Sequence, residues 1–252
     1  GNYLLFGFVY QSQGRYSDAV KVNYKALKIF EELGDQYGKA IAIFNIGDAY
    51  KDLGNYENAL KNYFEGVRVF EEVKDKFNLA TVYVSIGNIY ILKGDYDAAT
   101  QNNKIAYSIA KGINNGYLIG TALQSLGEVY WQQLKYADAL PYFLEAATAF
   151  RGVSDYFDLS LALSKVGSCQ TQLKQYDAAK QSFNEAYLVA QNLDSRVPLS
   201  AYYQGSEVLD SATGNWEYAY KNYKQYISYR DSSNSTESTK KILEQQIKYE
   251  NP

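Results

Sequence analysis

Six aromatic residues spaced 40 positions apart constrain the fold of this chain more than any other feature of its sequence. They are Tyr16, Tyr56, Tyr96, Tyr136, Tyr176 and Trp216. An alanine follows each of them after three positions, from Ala19 to Ala219. Because self-similarity at one fixed period is the mark of a repeat architecture, we expect one supersecondary unit copied about six times along the chain.

Residues 36–75 show what the repeated unit is. Apolar side chains at helical spacing form a stripe in its first half: Ile43, Ile46, Ala49 and Tyr50. Gly54 then predicts a helix end and Asn55 predicts a cap for the next helix. A second helical stripe follows: Ala59, Leu60, Tyr63, Val67 and Phe70. The short turn predicts antiparallel helices, and because neither stripe has a partner inside its own helix, the hairpins must stack on one another.

Glycine recurs at one phase of the first helix of each pair: Gly7, Gly47, Gly87, Gly127 and Gly167. A glycine inside a helix costs roughly 1 kcal/mol relative to alanine. Five glycines at one phase therefore predict that another helix approaches closely at each of these positions. A turn glycine recurs as well, at Gly14, Gly54, Gly94 and Gly214, while Leu134 and Lys174 replace it in the fourth and fifth copies.

The pattern made by Gly47, Tyr50, Gly54, Tyr56 and Ala59 resembles the tetratricopeptide repeat. The resemblance extends from residue 1 to about residue 230, and it implies an all-α fold, a right-handed superhelical α-solenoid of antiparallel helix pairs. The common repeat has about 34 residues, whereas this one has 40. The chain is thus similar to the long-repeat branch of the family, found in bacterial peptide-sensing regulators, sensor proteins, and animal polarity and motor adaptors.

The repeats predict one solenoid domain over residues 1–231. Its six copies are expected at approximately 1–35, 36–75, 76–115, 116–155, 156–195 and 196–231. Residues 232–252 are expected to form a polar break and a C-terminal helix over 236–250. Residues 226–250 resemble the segment that ends the repeat module of bacterial tetratricopeptide sensors, where a helix continues towards a membrane segment and an output domain. A helix that only caps the solenoid is the alternative.

Composition argues against several classes of partner. The net charge is −3, from 25 basic and 28 acidic residues that are well interspersed, so we expect no nucleic-acid contact and no membrane contact within these residues. No apolar run reaches the length of a membrane span. The sequence contains no methionine, which indicates a fragment or a processed form, with an upstream extension expected. The compartment, cytoplasmic or periplasmic, is left open.

The chain lacks the side chains that most often carry chemistry. It has no histidine, which removes the usual general base and the commonest metal ligand. Its one cysteine, Cys169, falls in phase with apolar residues such as Ala49 and Ile89, so a small core residue is expected rather than a nucleophile. The carboxylate pairs Glu31–Glu32 and Glu71–Glu72 end helices, where we expect them to be solvated. We therefore predict no enzyme, no cofactor and no metal site.

The first helix of each pair is expected to line the inner, concave wall of a solenoid. Relative to the repeated glycine, the inward positions lie three and two residues before it and one and four residues after it. The candidate ligand-binding residues are Phe44, Asn45, Asp48, Lys51, Ser85, Asn88, Gln124, Ser125, Glu128, Trp131, Lys165, Ser168 and Gln204. Amides and hydroxyls can pair with the backbone of an extended peptide, and the aromatics can fill side-chain pockets. A merely solvated inner face is the alternative.

The sequence disfavours one type of ligand that is known in the tetratricopeptide repeat family, the C-terminal carboxylate of a partner. Domains that hold a C-terminal carboxylate resemble one another in having a lysine three residues before the glycine and an asparagine one residue after it. The first position here holds Leu4, Phe44, Val84, Gln124 and Ser164. Asn88 alone matches the second position. The resemblance to long-repeat members that hold linear peptides instead implies a protein or linear peptide in the groove, and the resemblance to bacterial tetratricopeptide sensors implies that the module is part of a bacterial signalling protein.

Tyrosine crowds the last repeat beyond what one hairpin is expected to bury. The residues are Tyr202, Tyr203, Tyr218, Tyr220, Tyr223, Tyr226 and Tyr229. Excess aromatic surface often marks an interface, which predicts self-association through this repeat or contact with the C-terminal helix. The rival to a binding module is accordingly a structural scaffold whose surfaces serve oligomerisation.

Overall fold

The computed structural model describes residues 2–193 and 195–231, and every regular element in them is an α-helix. Eleven helices have the bounds α1 Tyr3–Ser12, α2 Tyr16–Leu33, α3 Gln36–Asp52, α4 Tyr56–Glu72, α5 Lys76–Lys93, α6 Tyr96–Gly112, α7 Gly116–Gln132, α8 Tyr136–Gly152, α9 Tyr156–Gln172, α10 Tyr176–Ala190 and α11 Arg196–Ala212. A twelfth, α12, covers residues 216–231. The predicted all-α fold of helix pairs is confirmed. The predicted polar break and C-terminal helix lie outside the described residues.

The described residues form two compact units, 2–98 and 99–231, and the division falls within α6. In the first unit, α2 packs between α1 and α3, and α4 packs between α3 and α5. In the second unit, α9 packs against α8, α10 and α11. These helices therefore pack on their neighbours in sequence, as expected for stacked hairpins.

The turns between helices share one backbone conformation. Among the described residues, positive φ occurs at a spacing of 20 positions from residue 14 to residue 174 and again at residue 214: Gly14, Gly34, Gly54, Lys74, Gly94, Asn114, Leu134, Ser154, Lys174 and Gly214. In the turn at Gly54, the Asn55 N–H donates to the Tyr50 carbonyl at 2.9 Å. At Leu134 the matching bond, from Lys135 N–H to the Tyr130 carbonyl, is 3.0 Å long. Each turn thus closes its helix in the same way, with or without glycine.

Side-chain caps begin many of the helices. The Asn55 side chain accepts a hydrogen bond from the Asn58 N–H at 3.2 Å, which confirms the predicted cap. Asp35 and Asp155 make the same bond three residues ahead, at 2.9 and 3.1 Å. These bonds satisfy backbone donors that the first turn of a helix leaves without partners.

Three of the repeated glycines, Gly47, Gly127 and Gly167, lie beneath aromatic side chains of the second helix of the same pair. A Cβ on Gly47 would lie 2.6 Å from Tyr63 Cε1, and one on Gly127 would lie 2.8 Å from Phe143 Cε1. Both rings are fully buried. The close approach predicted from glycine is confirmed at these positions, and the approaching group is a ring, not a backbone.

The structure also shows where Cys169 and two of the prolines lie. Cys169 is fully buried beside Phe143 and Val166, as expected for a core residue. The helix α8 continues through Pro141, which is exposed, and Pro198 lies in the first turn of α11. In the part of the chain that the structure describes, no helix combines the length and apolar character needed to cross a membrane.

Candidate functional site

Three of the predicted ligand-binding residues in the first unit converge on the buried side chain of Tyr63. The Tyr63 hydroxyl donates to Asp48 Oδ1 at 2.6 Å, and Lys51 Nζ donates to the same oxygen at 3.0 Å. The Phe44 ring lies 5.8 Å from the Tyr63 ring, centroid to centroid. Ser85, a fourth predicted residue, contacts the Tyr63 hydroxyl.

Burial and the Asp48 carboxylate both raise the pKa of Tyr63 well above its usual value. The phenol therefore stays protonated and remains a donor to Asp48. Burial lowers the pKa of Lys51, but Asp48 and Asp52 outweigh this effect and the pKa is raised. Asp48 Oδ1 accepts hydrogen bonds from both Tyr63 and Lys51, so the polar side chains of this cluster are fixed in position. Asn45 is half-buried on α3, and Asn88 is exposed on α5.

The second unit contains a cavity of about 360 Å³ lined by α7, α9 and α11, which we call the groove cavity. All three are first helices of their pairs, the helices expected to line the inner wall. Five predicted residues line the cavity: Gln124, Trp131, Lys165, Ser168 and Gln204. Its volume lies within the range of roughly 300–1,000 Å³ that is usual for ligand pockets.

Charge and aromatic groups meet on one wall of the groove cavity. Lys165 Nζ lies 2.7 Å from Glu128 Oε2 and 5.2 Å from the centroid of the Trp131 ring. Gln132 donates to the other oxygen of Glu128 at 2.6 Å. Trp131 in turn packs edge-on against Tyr136, with 4.9 Å between ring centroids. The wall is therefore a preformed aromatic and charged surface that is partly open to solvent.

The remaining polar groups of the groove cavity include several acceptor oxygens, beside the N–H donors of the Gln124, Gln172 and Gln204 amides. The hydroxyls of Ser164, Ser168 and Thr171 each donate to the carbonyl four residues earlier, at 2.8–2.9 Å. Their protons are thus used, while oxygen lone pairs remain. Gln124 Oε1 is buried without a hydrogen-bond partner. A ligand that brings N–H donors would satisfy these oxygens.

The four offsets from the repeated glycine selected some of the residues that line the groove cavity and missed others. Ser125, which they selected, is buried and is not among the residues that line the groove cavity. The same offsets applied to the sixth repeat would have selected Gly205 and Val208, both of which line the cavity. Leu161 and Ala201 also line it, six residues before the reference position, outside the four offsets used.

Two family models, both described as tetratricopeptide repeat, match the chain, one at residues 2–72 and 78–152 and the other at residues 162–193. No curated protein sequence matches the chain. Within the described residues, no group of three or more histidine, cysteine, aspartate or glutamate side chains is placed to hold a metal ion.

Solved structures with the same fold are distant in sequence. Aspartyl phosphate phosphatase F from Bacillus subtilis is 18% identical, with a TM-score of 0.77 over 98% of this chain and 69% of its own. A signal transduction ATPase with a tetratricopeptide repeat sensor from Pyrococcus horikoshii is 20% identical, with a TM-score of 0.74 over 95% of this chain and 38% of its own.

A third solved structure is a Rap protein complexed with competence and sporulation factor. It is 13% identical and has a TM-score of 0.70 over 93% of this chain and 75% of its own. At these identities the likeness concerns the fold, whereas the family models match the sequence itself over most of its length. The chain belongs to the tetratricopeptide repeat family.

Proposed function

We propose that this chain is a non-catalytic binding module that holds a linear peptide, or an extended segment of a partner protein, against the first helices of its repeats. The observation that carries the proposal is the groove cavity, which is lined by the aromatic ring of Trp131, the cation of Lys165 and a set of acceptor oxygens. Glu128, the ion-pair partner of Lys165, lies beside the cavity and is not among its lining residues. Tetratricopeptide repeats are a protein-interaction architecture, which gives the module its general class.

Acceptor groups in the groove cavity favour a ligand with backbone or side-chain N–H groups. An extended peptide carries one such donor on every residue except proline. The buried Gln124 Oε1 has no hydrogen-bond partner among the described residues, and an N–H group of a peptide could donate to it. Apolar side chains from Leu161, Ala201 and Val208 supply the contact area that a peptide side chain needs.

The ion pair between Lys165 and Glu128 can be rearranged at low cost. Its side chains are 38% and 26% exposed, and partly exposed pairs contribute only about 0–1 kcal/mol. A ligand carboxylate could therefore recruit Lys165, and a ligand cation could recruit Glu128 and the face of Trp131. The pair makes the wall adaptable to either sign of charge.

We place this module in a larger bacterial signalling protein as its sensor or interaction part. The fold neighbours include a protein described as carrying a tetratricopeptide repeat sensor, and another solved with competence and sporulation factor. These descriptions support the proposal by analogy of fold. The alternative is a structural scaffold, and the three largely exposed tyrosines Tyr218, Tyr220 and Tyr223 favour it.

Peptide selection tests the proposal directly. Peptides selected from a random display library on the immobilised protein would be synthesised and their affinities measured by fluorescence polarisation. We expect at least tenfold weaker binding to a Lys165→Ala/Gln204→Ala double variant. A matched Gln101→Ala/Lys104→Ala variant removes the same side-chain types from exposed positions of α6 and should bind as the parent does.

The same variants separate the binding module from the scaffold. Equal binding of all selected peptides to the parent and to the Lys165→Ala/Gln204→Ala variant would contradict the proposal. So would a change of molar mass in solution, measured by light scattering, that accompanied this variant while peptide binding stayed the same. Circular dichroism melting curves that match the parent's would show that the variant remains folded.

A further inference from the structure

A second cavity lies on the other side of α11, between α10, α11 and α12, and we call it the α10–α12 cavity. Its volume is about 580 Å³. From α11 it is lined by Tyr202, Ser206 and Asp210 among others, whereas the groove cavity is lined by Gln204 and Val208 of that helix. The two cavities therefore use different faces of one helix and are separate sites.

Polar groups in the α10–α12 cavity occupy positions that are apolar in earlier repeats. Lys180 stands at the position of Leu60 and Leu140. Ser206 stands at the position of Ile86 and Val166, both of which are core residues. The position of Asp210 is held by a tyrosine in the second, third and fourth repeats. The cavity thus exists where the repeat pattern would otherwise place core side chains.

Asp210 is a carboxylate with amide partners, and no cation of the described residues lies within ion-pair distance of it. Asn222 Nδ2 donates to Asp210 Oδ2 at 2.7 Å. Burial raises the pKa of Asp210, and Asn222, Asn215 and the charge of Lys180 only partly offset this effect. Among the described residues, no ion pair joins Lys180 to Asp210. A partly buried negative charge of this kind is stabilised by any cation that enters beside it.

Aromatic rings surround the same space. Tyr176, Tyr202, Tyr218 and Phe183 line the cavity together with the two carboxylates of Asp177 and Asp210. The faces of aromatic rings attract cations, and the attraction grows when the cation is removed from water. Carboxylates and aromatic rings that line one cavity are the groups that recognise an organic ammonium ion. Lys221 Nζ already lies 5.2 Å from the centroid of the Tyr218 ring, so an organic ammonium ion would compete with this lysine there. With Lys180 as its single lysine, the lining also has more acidic than basic groups.

We propose that the α10–α12 cavity binds a small organic ammonium ion, a primary or quaternary amine, with its positive charge beside Asp210 and its carbon skeleton among the tyrosine rings. The volume of about 580 Å³ accommodates a molecule larger than the ammonium group alone. This site is independent of peptide binding in the groove cavity, so either proposal can fail without the other.

Choline and phenethylamine are suitable probes, with 3,3-dimethylbutan-1-ol as the neutral counterpart of choline. Isothermal titration calorimetry on the intact chain should show binding of at least one amine and at least tenfold weaker binding of the neutral alcohol. Asp210→Asn should weaken binding of that amine at least tenfold, while the asparagine oxygen can still accept the hydrogen bond from Asn222. Absence of binding by both amines at millimolar concentration would overturn the proposal.

A matched control lies on the same helix. Glu207→Gln also removes one negative charge from α11, its side chain can still accept the Ser211 hydrogen bond, and it lines neither cavity. This variant should bind the amine with parental affinity. Equal weakening by Asp210→Asn and Glu207→Gln would refute the site.

A second variant keeps the test valid if Asp210→Asn fails to fold. Tyr218 is 62% exposed, so Tyr218→Ala should leave the fold intact. It removes one ring from the cavity and should weaken amine binding about twofold to fivefold, as expected for the loss of a cation–π contact at an exposed ring. Unchanged affinity in Tyr218→Ala and in Asp210→Asn would reject the proposal.

Discussion

At the scale of single residues, the pairing of a glycine with a ring determines how closely two helices of a hairpin approach. The ring of Tyr63 covers Gly47, and that of Phe143 covers Gly127. In the first repeat Asn23 takes the place of the ring above Gly7. Both polar atoms of the Asn23 side chain are buried without a hydrogen-bond partner, which costs about 1–3 kcal/mol for such a group.

A methyl group at position 47 should destabilise the protein. In Gly47→Ala the new Cβ would lie 2.6 Å from a ring that is fully buried and bonded to Asp48. Overpacking of this kind costs about 1–3 kcal/mol, and the helix preference of alanine offsets roughly 1 kcal/mol. Urea denaturation should therefore show a net loss of stability.

Gly152→Ala is the matched control for that substitution. Gly152 is the last residue of α8, and a Cβ there would meet no atom within 4 Å. Alanine should raise stability at this position by up to about 1 kcal/mol, because it restricts the unfolded chain and favours the helix. If both variants were stabilised, the close contact between glycine and ring would not limit the packing.

Cys169 should be inert towards thiol reagents in the folded protein. Burial raises the pKa of its thiol to about 12, so almost no thiolate exists at pH 8. Ellman's reagent should react slowly with the native protein and completely after unfolding in guanidinium chloride. Rapid reaction of the native protein at pH 8 would contradict its burial.

The sequence predicted the phase of the glycines and the burial of Cys169, because both follow from the 40-residue spacing. It did not predict which group lies over each glycine. Tyr63 and Phe143 are apolar members of a stripe in the sequence, and only the packed structure shows the ring above the glycine. Likewise, the hydrogen bond between Tyr63 and Asp48 joins residues on two helices and has no signature in either helix alone.

At the scale of helices and turns, the protein relies on left-handed closure every 20 residues. Five of the ten such residues are not glycine. The sequence correctly indicated a turn at Leu134 and Lys174 from the period alone. It could not show that these residues adopt positive φ, because side-chain type normally predicts the opposite.

Leu134→Gly should stabilise the turn between α7 and α8. Leu134 has φ of 59° and is 70% exposed, so its side chain has little packing to lose. The left-handed conformation costs a non-glycine residue about 1–2 kcal/mol, partly offset by the greater freedom of glycine when unfolded. We expect a gain of up to about 1 kcal/mol in thermal or urea denaturation.

Gly54→Ala makes the opposite change at an equivalent turn, where φ is 73°. Nothing lies within 4 Å of the added Cβ, so backbone strain is the only new cost. This variant should lose about 1 kcal/mol or more. Opposite signs for the two variants would show that φ decides their stability, and equal signs would refute this explanation.

At the scale of the whole molecule, stability in a repeat protein is a sum of local terms, because each hairpin contacts mainly its neighbours. In the second unit α9 is packed by three helices, whereas α12 exposes Trp216, Tyr218, Tyr220 and Tyr223. The sequence itself shows that the sixth repeat departs from the repeat pattern, since Asp210 stands where the second, third and fourth repeats have a tyrosine. The two cavities on α11 are not visible in the sequence, since each is formed by side chains from three helices.

Protection of backbone amides from hydrogen exchange should decrease from the well-packed α9 to the more exposed α12. Backbone amides in α8 and α9 should be protected most strongly within the second unit, and those in α12 should exchange through smaller, local openings. Mass spectrometry of deuterium uptake would measure the difference peptide by peptide. Equal protection of α9 and α12 would instead indicate that the unit opens as one cooperative body.

The spacing of the turns has a consequence for how such a chain can change length. Since the closing residues of the described turns lie 20 positions apart, or 40 between Lys174 and Gly214, duplication or loss of 40 residues brings an existing turn to the position of another equivalent turn. A splice of 20 residues would exchange the first and second helices of the pairs, and a splice whose length is not a multiple of 20 would place a helical residue where the chain must reverse. Genetic rearrangement can therefore lengthen or shorten this protein by whole hairpins, whereas variants of intermediate length would misfold.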